Sequence, residues 1–187
     1  MRWRLKSVFP LLALCGCALS PPHPDSGRIH DARVLIDRGT VALRGGQLNE
    51  AGASYRLALE LTPLPEAFDG LGCVAFLRGD LGAAEDLFRT ALRVAPDYPQ
   101  ALGNLALLHE VRGERVAAHS LYERALASEP RNFRARLNYA AFLEGENDRT
   151  LTRRAYIELL KARAIAEHPL IQLNIARVTD FERSSDE

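Results

Sequence analysis

Ala91-Leu92-Arg93-Val94-Ala95-Pro96 closes a pattern that the chain also carries as Ala58-Leu59-Glu60-Leu61-Thr62-Pro63 and Ala125-Leu126-Ala127-Ser128-Glu129-Pro130. The three endings lie 33 and 34 residues apart. Other residues keep the same beat. Gly39, Gly72, Ala106 and Ala140 form one series, Ala51, Ala84 and Ala118 a second, and Tyr55, Phe88 and Tyr122 a third. A self-similar period of this length predicts a solenoid of stacked antiparallel helix pairs, an all-α fold.

The pattern has a packing reason. With Ala32, Pro65, Pro99 and Phe133 as position 1 of each repeat, the first series falls at position 8 of the first helix. Positions 20 and 27 of the second helix are alanines in the first three repeats. Small residues there let two helices approach closely. The aromatic at position 24 fills the space beside them. Turns are expected at Gly45-Gly46, Gly79-Asp80 and Gly113-Glu114, since Gly takes the left-handed conformation at a helix C-terminus. Pro63, Pro96 and Pro130 stop the second helices.

From Ala32 to Pro130 these residues resemble the tetratricopeptide repeat (TPR). Leu35, Phe68, Leu102 and Arg136 stand where that family often has Trp. A fourth repeat begins at Phe133, but Thr152 falls where the first of the two alanines belongs. An insertion of three residues around 145–151 would bring Ala155 and Ala162 there instead, so two registers stay open. Pro169 opens a last amphipathic stretch, Leu170, Leu173, Ile175, Val178 and Phe181, expected to cap the open end of the array.

The N-terminus is a different kind of sequence. Arg2, Arg4 and Lys6 precede the apolar run Val8–Leu14, too short to span a bilayer of about 30 Å. Residues 1–16 therefore read as a secretory leader. Leu14-Cys15-Gly16-Cys17 looks like a bacterial lipobox, with Cys17 as the lipidated first residue of the mature chain. Acylation would anchor the protein firmly, and Ala18 after it implies sorting to the outer membrane. An ordinary leader releasing a soluble secreted protein is the competing reading. Residues 17–30, with Pro21, Pro22 and Pro24, are expected as a tether, 31–168 as the repeat array, and 169–187 as the cap and a polar tail.

Composition excludes some functions. Lys and Arg number 24 against 24 acids, so charge alone makes no case for nucleic acid. The charge is uneven: residues 131–163 hold eight Lys or Arg against four acids. There is no phosphate loop, nucleophile elbow or His-Glu-x-x-His helix, so no enzyme, cofactor or small-molecule substrate is expected. Cys73 sits in an apolar context and is expected as filler. His109 and His119 lack a third ligand for a metal. His109 is expected to be buried and hydrogen-bonded.

Function then rests on surface shape. Positions 5, 9 and 12 of each first helix form one stripe. In the resembled family this stripe lines the concave groove. Here it reads Ile36, Thr40, Leu43; then Asp69, Cys73, Phe76; then Gly103, Leu107, Glu110; then Leu137, Ala141, Glu144. Leu77 and Val111 extend it, and Asn104 and Asn138 occupy position 6. The resemblance implies that an Asn there can bond a ligand backbone. The Lys/Asn set that clamps a peptide carboxylate in chaperone-binding members is missing, since Ile36, Thr40, Asp69 and Leu107 hold those places. The groove is expected to take an apolar or amphipathic segment, either of a protein partner or of the chain's own C-terminus.

Lipobox and repeats together, with Leu137-Asn138-Tyr139-Ala140-Ala141-Phe142-Leu143, resemble the TPR lipoproteins that serve type IV and Tad pili as pilotins or assembly factors. That resemblance implies a periplasm-facing scaffold whose partner is a secretin or another envelope assembly component. An adaptor for envelope proteases or peptidoglycan enzymes would share every feature named so far.

Overall fold

Each repeat becomes two helices because its apolar residues return at helical spacing and Gly or Pro interrupts the run between them. The computed structural model of the chain describes residues 26–145, 148–167, 169 and 171–176. Residues 1–16, Cys17, Val178 and Phe181 lie outside the described residues. The helices are α1 (Ser26–Arg44), α2 (Leu48–Leu61), α3 (Pro65–Leu77), α4 (Leu81–Val94), α5 (Pro99–Val111), α6 (Arg115–Ser128), α7 (Phe133–Glu144) and α8 (Arg149–Ile165). Residues 171–176 are helical as well. No helix among the described residues is long and apolar enough to cross a membrane.

Local chemistry sets the helix ends. Pro65 and Pro99 open α3 and α5, where a missing N–H does no harm. Asp80 accepts from the Ala83 N–H at 3.0 Å, and Asn132 from the Ala135 N–H at 3.0 Å. Asp148 caps α8 through the N–H groups of Thr150 and Leu151. Gly46, Gly79 and Gly113 turn the chain inside the first three pairs with φ of 73°, 83° and 76°. Residues 26–30, expected as part of the tether, are helical and belong to α1.

Packing is densest within the pairs α1/α2, α3/α4, α5/α6 and α7/α8. Consecutive pairs meet through α2/α3, α4/α5 and α6/α7, and the first helices touch one another in series. This is a TPR-like stacked array. The alanines at positions 20 and 27 of the first three repeats are all 0% exposed. Tyr55, Phe88 and Tyr122 are buried beside them. Each such side chain, fully buried, contributes about 1.5–3 kcal/mol.

The fourth repeat takes the inserted register. Ala155 and Ala162 are fully buried, with Leu159 in the place of the aromatic. Thr152 is also buried, but its hydroxyl is spent on the Asp148 carbonyl at 2.9 Å. Arg136, the departure at position 4, donates from Nη1 to Glu158 Oε2, and Lys161 donates to the other carboxylate oxygen at 2.7 Å. A largely buried cation is thus matched by a buried anion on the facing helix. Ile171 is buried, and Ile175 packs against the cluster that includes Tyr139, Phe142 and Leu159. Over the described residues, the C-terminal segment covers the fourth repeat.

Candidate functional site

The first helices of all four repeats contribute to one open cleft of about 670 Å³. It takes the C-terminal half of α1, the N-terminal half of α3, and the N-terminal ends of α5 and α7. The cleft therefore crosses the helices obliquely. Ile36, Thr40, Leu43, Asp69, Cys73, Gly103, Asn104 and Asn138 line it. None of residues 171–176 does.

Eight expected residues lie outside that lining; on α7 they are Ala141, Glu144 and Leu137, which packs against the cluster of Tyr139 and Phe142. Phe76 packs against the cluster of Ala84, Phe88, Leu105 and Leu108. Glu110 accepts a bond from the Tyr122 hydroxyl at 2.9 Å, which ties it to the second helix of its own repeat. Leu107 is half-buried, and Leu77 and Val111 are 58% and 57% exposed near the helix C-termini. The stripe was drawn at the same positions in every repeat. A cleft that slants across the stack leaves the later stripe positions of α3, α5 and α7 behind.

The floor is polar. Asp69 is 8% exposed, and its Oδ1 accepts from Asn104 Nδ2 at 2.9 Å. Asn104 also donates to Cys73 Sγ at 3.3 Å. The amide expected to face a ligand backbone is thus directed to its neighbours on α3, while Asn138 stands exposed. Burial raises the Asp69 carboxyl to about 7; the Asn104 bond opposes this and the Glu66 charge adds to it. Burial, with the Asp69 charge beside it, also pushes the Cys73 thiol well up, so it is no thiolate at neutral pH. Glu66, one turn before Asp69 on the same face of α3, has its Oε2 enclosed with no hydrogen-bond partner.

Sequence reasoning missed Gly70, Tyr55 and Tyr98. A Cβ on Gly70 would fall 2.3 Å from Tyr55 Cζ, so the ring of α2 lies across the backbone of α3 and reaches the cleft. Thr40 and the Tyr55 hydroxyl share a hydrogen bond at 3.2 Å. The available signal was that position 6 is Gly in the second repeat and Asp or Asn in the others. Tyr98 precedes Pro99 and lines the cleft near Asp69; burial, and then the Asp69 charge, raise its hydroxyl pKa. Arg44, Arg131 and Arg134 stand at other parts of the lining.

The histidines are accounted for elsewhere. His109 is buried with Nδ1 at 2.5 Å from Glu114 Oε2, and His119 Nε2 lies 3.1 Å from the Tyr139 hydroxyl. Among the described residues, no three His, Cys, Asp or Glu side chains come together as a metal-binding group.

Comparison with known proteins agrees with this architecture. Residues 70–118 match the tetratricopeptide repeat family model. The fold is similar to that of pilF of Pseudomonas aeruginosa, with a TM-score of 0.72 at 20% identity over 84% of this chain and 72% of that one. It is similar to a thermophilic TPR protein of Thermus thermophilus, with a TM-score of 0.70 at 22% identity over 80% and 81%. MamA matches with a TM-score of 0.55 at 26% identity over 72% and 78%. No curated protein matches the sequence. Over residues 70–118 the chain matches the tetratricopeptide repeat, and the helix pairs on either side continue the same TPR-like stack.

Proposed function

We propose that this chain is a lipid-anchored, non-enzymatic scaffold of the outer membrane that faces the periplasm. Its concave cleft would hold a segment of a pilus or secretin component during assembly or targeting. The observation that carries the reading is the cleft itself. It is open, it is built from the first helices of all four repeats, and the described C-terminal segment does not fill it. Clefts of about 300–1,000 Å³ enclose small ligands or a few side chains, so this one suits a linear segment and not a folded domain. Support for the pathway comes from the Leu14–Cys17 lipobox, the Asn138-centred run and the likeness in fold to pilF.

Gly103 gives direct access for a test. A Cβ there meets nothing within 4 Å, so a photo-crosslinking side chain at this position points into free space. Expressed in its own host, the Gly103 crosslinker should form an adduct with a secretin or another pilus-assembly component. Adducts confined to envelope proteases or peptidoglycan enzymes would replace the pilus reading with an adaptor. A crosslinker that reacts with no protein would remove the cleft as the site.

A further inference from the structure

The cleft floor carries two carboxylates and no counter-charge. Neither Glu66 nor Asp69 has an ion pair among the described residues, although Arg44 belongs to the same cleft. Asp69 is more than nine-tenths buried and has only an amide on Oδ1. Glu66 Oε2 is enclosed without any partner. A buried anion left in this state is costly, and a fitting cation relieves the cost. The neighbouring wall is Tyr98, half-buried beside Asp69, whose ring suits an alkyl stem and a cationic head.

We infer that the cleft takes an extended peptide bearing one lysine or arginine, with its cationic head seated against Asp69 and Glu66. The inference rests on the reading of the cleft as a partner-binding site and names what that partner must present. The far side of the cleft holds Arg131 and Arg134. A second basic residue would meet them unfavourably, so the residues flanking the seated cation are acidic or neutral. The occupant is therefore a mixed-charge strand, which narrows the apolar or amphipathic segment that the sequence stripe suggested. Its head replaces a missing ion pair, and its backbone crosses the open space over Gly103, within reach of Asn138.

The test selects heptapeptides from a random displayed library on the full chain in detergent. Three proteins are compared: wild type, the isosteric Glu66→Gln/Asp69→Asn double variant, and Gly103→Trp, which places an indole in the cleft from a position whose Cβ meets nothing within 4 Å. Wild type should enrich peptides with a single Lys or Arg. In anisotropy titrations, replacing that residue by norleucine should weaken binding about tenfold, which is about 1.4 kcal/mol. The double variant should no longer distinguish lysine from norleucine. Gly103→Trp should lose every selected peptide. Peptides that are blocked by Gly103→Trp but carry no basic residue, or whose norleucine forms bind equally well, overturn the inference and leave the cleft as the binding site. Peptides that bind Gly103→Trp unchanged, or no binding peptide at all, overturn the cleft reading and the inference together.

Discussion

Gly72 lies under the ring of Phe88: a Cβ at Gly72 would fall 2.4 Å from Phe88 Cε1. This is the close approach that spaces α3 from α4, and Gly39 repeats it against Tyr55 at 2.8 Å. Gly72→Ala should destabilise the fold by about 1–3 kcal/mol through overpacking. The gain of about 1 kcal/mol in helix propensity does not offset this. Gly103→Ala has the same propensity gain and no clash, so it should stabilise by about 0.5–1 kcal/mol. Urea unfolding of both variants checks the contrast. A neutral Gly72→Ala would mean that the ring does not lie where the structure places it.

Ala118 and Ala155 mark the same crossing in the third and fourth repeats, and both are fully buried. Leu at either site should cost about 1–3 kcal/mol. Ser128→Leu, on an exposed turn of α6, should stay within about 0.5 kcal/mol of wild type. An Ala155→Leu protein as stable as wild type would return the fourth repeat to the register without the insertion.

Glu158 holds Arg136 in a nearly water-free place between α7 and α8. Glu158→Ala leaves that guanidinium without a counter-charge, held only by the Pro130 carbonyl, and should cost about 3 kcal/mol. The paired change Arg136→Leu/Glu158→Leu should recover most of the loss, since an apolar pair needs no counter-charge. Thermal melts of the single and double variants read out the coupling. Loss in the double variant equal to that in the single would assign the damage to packing alone.

Asp69 makes stability depend on pH with a defined sign. Its carboxyl titrates near 7 when folded and near 3.8 when unfolded. Between these values the folded state keeps a proton that the unfolded state has lost. The contribution is therefore full below about pH 4 and is lost as pH rises to 7, at up to about 1.4 kcal/mol per pH unit. The groups facing it are Glu66 and Cys73 on α3, Asn104 on α5, and Tyr98 before α5. Unfolding midpoints measured across this range should fall with pH in wild type relative to Asp69→Asn. Parallel curves for the two proteins would place Asp69 in contact with water.

Cys17 and Cys15 give opposite expectations for the anchor. Cys17→Ala should move the protein from the membrane fraction to the soluble one, and Cys15→Ala should leave it in place. Incorporation of a labelled fatty acid follows the same split. Label that persists in Cys17→Ala would sink the assignment of the lipid to that residue.

The sequence by itself determined the helix pairs. Alanine, glycine and aromatic residues recur at one period, and each works through neighbours in its own repeat, so the signal is written three times in the chain. The left-handed turns at Gly46, Gly79 and Gly113 were legible for the same reason, being local backbone demands. The tertiary structure alone decided which side chains share the cleft. Asn104 reaches Asp69 across 35 residues of chain, and Tyr55 lies across Gly70 of the next repeat. Such pairs depend on how one repeat is set against the next, which no period within a repeat records. Phe76 shows the same limit, since it shares the groove stripe in sequence but packs against Phe88 and Leu108. The register of the fourth repeat also waited on packing, because Thr152 and Ala155 both fit a helix and only the close approach of α7 and α8 separates them.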